Sequence, residues 1–77
     1  MKIYCISDSQ EFEVGLKLAG CDGITCEKED EIENKIDEII KNKEYGILVI
    51  TKTIYEKAKE KVDKLQNTRR LPLITII

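Results

Sequence analysis

The chain has 77 residues, 42% of them hydrophobic and 36% charged, with a formal net charge of -2. That length makes one domain, residues 1–77, with a core so small that a partner or a further segment is expected to help hold it. Near-neutral charge, with eleven lysines among thirteen basic residues, leaves no nucleic-acid footprint; no apolar run approaches the roughly 20 residues of a membrane span, and the lack of a signal-peptide pattern leads to the expectation of a cytoplasmic protein.

Lys2–Ser7 is a short apolar run and reads as a first strand. Gln10–Ala19 follows as a helix, with Gly20 placed to supply a left-handed residue at its end. Gly23–Glu27, where Ile24 and Cys26 alternate with polar neighbours, is a second strand. Asp30–Lys43 carries Ile32, Ile36, Ile39 and Ile40 at helical spacing. The acidic residues Glu27, Glu29, Asp30 and Glu31 suit the positive end of that helix's dipole. Ile47–Thr51 is a third strand. Thr53-x-x-Glu56 predicts a capping box that opens a third helix, with Ile54, Ala58, Val62 and Leu65 as its apolar stripe. Leu71–Ile77 is a fourth strand, and Pro72 near its start is tolerable on an edge.

Alternation of this kind predicts an α/β fold, a four-stranded parallel sheet with three helices. The flavodoxin-like, Rossmann-like order 2-1-3-4 is the expected arrangement. Right-handed crossovers then put the first helix alone on one face, over strands 1 and 2. The other two helices share the opposite face. One face of strands 3 and 4 is left without a helix, although strand 4 is apolar on both sides, with Leu73 and Ile77 one way and Ile74 and Ile76 the other. The chain closes on Ile77 without a stop signal, so a continuation or a docked partner is expected there. An uncharged edge strand of this kind also leads to the expectation of self-association.

The first helix adds a second feature. Phe12, Leu16 and Ala19 form one stripe at about 100° per residue, and Val14 and Leu18 fall outside it. Two readings stand: these flanks tuck into neighbouring loops, or they face a partner. The candidate partner-binding residues are therefore Val14, Leu18, Leu73, Ile74, Ile76 and Ile77.

Ligands of parallel sheets bind at the carboxyl ends of the strands. The residues there are Ser7, Asp8, Ser9, Thr51, Lys52 and Thr53. A phosphoacceptor receiver needs an aspartate at the end of the third strand, where Thr51-Lys52 stands. No G-x-x-x-x-G-K-[ST] string exists. Gly15 and Gly20 sit within and after the first helix and cannot line a phosphate turn. Cys5 lies in a strand, and the position six residues later is Glu11, the wrong charge for a phosphatase loop of the C-x5-R type. Cys21 and Cys26 do not make a C-x-x-C, and an odd set of three cysteines is no disulfide framework. With no histidine, the commonest metal ligand and acid–base catalyst is missing. No cofactor, metal or catalytic residue is expected.

Ser7-Asp8 after an apolar strand, followed by Gly15-Leu16-Lys17-Leu18-Ala19-Gly20-Cys21, closely resembles the start of the F subunit of the V-type and A-type rotary ATPases (ATP synthases). The resemblance continues in order through Ile47-Leu48-Val49-Ile50-Thr51 and Leu71-Pro72-Leu73-Ile74-Thr75-Ile76. Ser7 stands where that family usually has glycine, and Leu16 where it has phenylalanine. Family members run on past the fourth strand into a C-terminal segment. The resemblance implies a non-catalytic rotor component on the central stalk, bound to the stalk's coiled-coil D subunit and peripheral to the membrane. Apart from it, the residues leave two other classes open. One is a small flavodoxin-like regulatory domain that binds a ligand at the rim of Ser7, Asp8, Thr51 and Thr53. The other is a small phosphotransfer enzyme using Cys5.

Overall fold

A computed structural model describes residues 2–68 and 71–77. The elements run β1 Lys2–Ser7, α1 Gln10–Leu18, β2 Asp22–Thr25, α2 Glu29–Lys41, β3 Tyr45–Ile50, α3 Lys52–Lys57, α4 Lys59–Thr68 and β4 Leu73–Ile76. The strands form one sheet in the order β2-β1-β3-β4, and every neighbouring pair is parallel. The expected order therefore holds.

The expected third helix is two, α3 and α4, divided at Ala58, whose φ of -131 and ψ of 33 leave the helical region. The Tyr55 hydroxyl bridges the break by donating to Asp63 Oδ1 at 2.7 Å. The stripe survives it, since Ile54, Ala58 and Val62 are all buried. The capping box at Thr53 is not formed. β3 passes into α3 with a single residue between them, so the hydroxyl that reaches the N3 amide is that of Thr51. It accepts from the Ile54 N–H at 3.4 Å, while Thr53 already sits inside the first turn.

The end of α1 is as expected. Gly20 has a φ of 89. Its N–H donates to the Lys17 carbonyl at 3.0 Å, and the Cys21 N–H to the Leu16 carbonyl at 2.9 Å. These two bonds satisfy carbonyls that the helix leaves orphaned, and only glycine takes the conformation at little cost.

Parallel register fixes which side chains share a face. Ile3, Ile47 and Leu73 stand abreast, as do Tyr4, Leu48 and Ile74, and then Ile6, Ile50 and Ile76. The second and third rows lie under α2, α3 and α4. The buried core is made of Ile6, Leu48 and Ile50 with Ile32, Ile36 and Ile39 of α2, Ile54 of α3 and Val62 of α4. Lys61 Nζ of α4 meets Asp37 of α2 at 2.7 Å, and Lys57 Nζ donates to the Glu27 carbonyl at 2.9 Å. The core is thus one-sided, built between the sheet and three helices. On the other face α1 packs alone against β1 and β2.

Candidate interaction surface

α1 shelters only part of its face of the sheet. Cys5 of β1 and Ser7 at its end are about 1% exposed. Moving outward along the same face, Ile47 and Val49 of β3 are half-buried and Thr75 of β4 is exposed. Leu73 is 57% exposed and Ile77 50%. Exposure therefore rises from β1 to β4, away from the single helix that covers this side. Ile3, Ile47, Val49, Leu73, Thr75 and Ile77 carry no charge, so apart from the Thr75 hydroxyl, which would need a hydrogen-bond partner, their removal from water is favourable. Burying a Leu or Ile side chain fully is worth about 1.5–3 kcal/mol; for the half-exposed Leu73 and Ile77 on the order of 1 kcal/mol each remains to be gained.

The six candidate residues divide into three pairs. Leu73 and Ile77 lie on the bare face. Ile74 and Ile76 turn the other way and pack, partly buried, against the helix-side core, so β4 presents alternate residues to the two sides. Val14 and Leu18 belong to α1 and are exposed, Leu18 at 85%. They do not tuck into neighbouring loops. α1 has no fully buried residue at all; Phe12 and Leu16 are half-buried against the sheet. Ile47, Val49 and Ile3, which complete the bare face, are absent from the set of sequence candidates. Alternation within Ile47–Ile50 cannot reveal Ile47 and Val49, because both sides of that strand are apolar, and Ile3 lies in the strand expected under the first helix.

The rim at the carboxyl ends of the strands is organised as a set of turns and caps. The buried Ser7 hydroxyl donates to the Ser9 carbonyl at 3.2 Å and accepts from the Ser9 N–H at 2.8 Å. The Ser9 hydroxyl accepts from the Phe12 N–H at 3.3 Å and caps α1. Thr51 caps α3, and Lys52 N–H donates to the Ile77 carbonyl at 3.1 Å. Asp8 and Thr53 are exposed. The hydroxyls of Ser9 and Thr51 accept from helix N–H groups, and that of Ser7 is closed on the Ser9 backbone. Thr25 Oγ1, at the end of β2, is buried without a hydrogen-bond partner, and nothing in the structure explains it.

Cys5 is a poor nucleophile. It is buried mid-strand, and desolvation pushes its thiol up to about 11, so the reactive thiolate is scarce near neutrality. Among the described residues no helix is long and apolar enough to cross a membrane, and no three His, Cys, Asp or Glu side chains gather as a metal site would require.

The family model described as the ATP synthase (F/14-kDa) subunit matches residues 3–77 of the chain. No individual curated protein matches it.

Proposed function

The chain belongs to the ATP synthase (F/14-kDa) subunit family, and from that premise we propose that it is a non-catalytic component of the central stalk of a V-type or A-type rotary ATPase. In this reading it binds the coiled-coil subunit of that stalk and helps couple ATP turnover in the soluble head to ion movement through the membrane ring. It works on the cytoplasmic side, peripheral to the membrane, as part of the complex.

The observation that carries the proposal is the coincidence of a family match spanning residues 3–77 with a neutral apolar sheet face that this chain leaves bare. α-Helices pack naturally on such faces, and a coiled coil offers a long helical surface. Leu73 and Ile77 are the centre of the proposed contact, with Val14 and Leu18 of α1 as its flank. Left without the coiled coil, the same face and the outer edge of β4 are where self-association would occur. The capping roles of Ser9 and Thr51, and the closure of the Ser7 hydroxyl on the Ser9 backbone, weigh against the rim-ligand alternative. The burial of Cys5 weighs against phosphotransfer.

Affinity purification of the protein from its source cell tests the proposal. The coiled-coil stalk subunit and the catalytic subunits of the ATPase are expected in stoichiometric amounts. Recovery of the protein free of every ATPase subunit, under conditions where the complex stays whole, contradicts it.

A further inference from the structure

On the helix side of the sheet, at the start of β4, there is a cavity of about 160 Å³. Its described walls are Ile40 of α2, Leu48 of β3, Leu65 and Thr68 of α4, Ile74 of β4, and Leu71 and Pro72 just before that strand. Leu71 is 59% exposed and Thr68 is exposed, which puts the mouth between the end of α4 and the start of β4. Six of these seven side chains are hydrocarbon. The exception, Thr68, has its hydroxyl hydrogen engaged already, donating to the Leu65 carbonyl at 2.8 Å. Among the described side chains, the acceptor lone pairs of that one hydroxyl are therefore all that a guest could hydrogen-bond to.

We propose that this cavity is a binding site for one small apolar molecule, of the size of a single aromatic ring. Two physical arguments converge. A cavity of about 150 Å³ lined by Leu, Ile and Phe stays dry and accepts benzene or xenon; this one is of similar size and mostly aliphatic, and its mouth gives a guest a way in. Water needs two to four polar partners to be held in a protein interior, and the single Thr68 hydroxyl does not supply that number. A guest would also gain contacts that the lining side chains otherwise lack. Because Ile74 alternates along β4 with Leu73 and Thr75, the guest would press on the inner side of the strand whose outer side is bare. The site is independent of the central-stalk reading and stands if that reading falls.

The test is a benzene titration of protein labelled with ¹³C at its Ile, Leu and Val methyls, repeated with xenon under pressure. Saturable shifts are expected at Ile40, Leu48, Leu65 and Ile74, with Val14, Leu18 and Ile77 unmoved. The thermal midpoint should rise with benzene, because only the folded chain has the cavity. A Leu65→Phe variant should fill the space from within and lose the shifts; Ile40→Phe serves if that variant does not fold. Three results overturn the proposal: no saturable shift up to the solubility of either probe, shifts confined to the exposed methyls, or a folded filled variant that responds as the unaltered protein does. If neither filled variant folds, the titration of the unaltered protein decides alone.

Discussion

Ile47 of β3 and Leu73 of β4 stand opposite each other in the parallel ladder and project to the same side of the sheet, where the first is half-buried and the second 57% exposed. The next pair, Leu48 and Ile74, projects to the other side, into the core cluster. Two adjacent residues of β4 should therefore respond very differently to truncation. Leu73→Ala is expected to stay within about 0.5 kcal/mol of the parent, as surface substitutions do. Ile74→Ala should cost more, about 1–2 kcal/mol, below a fully buried truncation because Ile74 packs against the core while only partly buried. Urea denaturation measures both. Equal losses would mean that the two faces of β4 are wrongly assigned.

The cap of α3 gives a second contrast. Thr51→Ala removes the hydroxyl that accepts from the Ile54 N–H and should cost about 1 kcal/mol. Thr53→Ala touches no cap and should be nearly neutral. The opposite ranking in the same denaturation experiment would restore the capping box at Thr53.

The Tyr45 hydroxyl reaches past β1 to donate to Asp22 Oδ2 of β2 at 2.5 Å, and its ring meets Tyr4 edge-on at a centroid distance of 5.1 Å. The hydrogen bond to Asp22 holds the proton and pushes the phenol up to about 12, against an ordinary value near 10. The folded chain keeps this proton where the unfolded chain has lost it. The resulting stability is fully present below pH 10 and is lost as the pH rises towards 12. Tyr45→Phe should flatten that part of the stability–pH curve. Because the group lies at the surface, the change in slope should be small. An unchanged slope in the variant would remove the Asp22 bond from the explanation.

Catalytic silence is expected from the burial of Cys5. With an aromatic disulfide reagent, Cys21, which is partly exposed, should react first. Cys5 and Cys26, both buried, should react only as the chain opens. Rapid modification of Cys5 in the native protein, or a phosphatase rate abolished by Cys5→Ser, would return the phosphotransfer reading to the front.

Much of the fold is legible in the residues because two rules agree. Apolar periods of 2 and 3.6 mark the elements, and crossover handedness then leaves α1 alone on its face. Gly20 could be placed in the left-handed region because the helical pattern stops just before it. The division at Ala58 was not legible: Ile54, Ala58 and Val62 keep the spacing of one unbroken helix, and the departure is in backbone angles that a side-chain pattern does not record. The position of the cap misled for a related reason. Thr51 and Thr53 are both credible caps, and only the abrupt passage from β3 into α3 decides between them. Of the candidate surface, the outer residues Leu73 and Ile77 could be read from alternation in β4. Ile47 and Val49 could not, because a strand that is apolar on both sides gives no sign of which side is bare, and Ile3 sits in the strand expected to be covered by the first helix. The exposure of Val14 and Leu18 depends on how far α1 lies from its neighbouring loops, which is a matter of packing.

Binding to the coiled-coil stalk subunit is the most direct test of the central-stalk reading. The two purified proteins are mixed and resolved by size exclusion, alongside a Leu73→Asp variant whose folding is checked first. The unaltered protein should co-elute with the coiled coil as a stable complex, and the folded variant should elute apart from it, because a carboxylate on the bare face would have to be buried without a partner. Co-elution undiminished by Leu73→Asp would keep the partner and move the contact off the sheet face. A well-folded protein that never co-elutes with the coiled-coil stalk subunit would contradict the central-stalk reading.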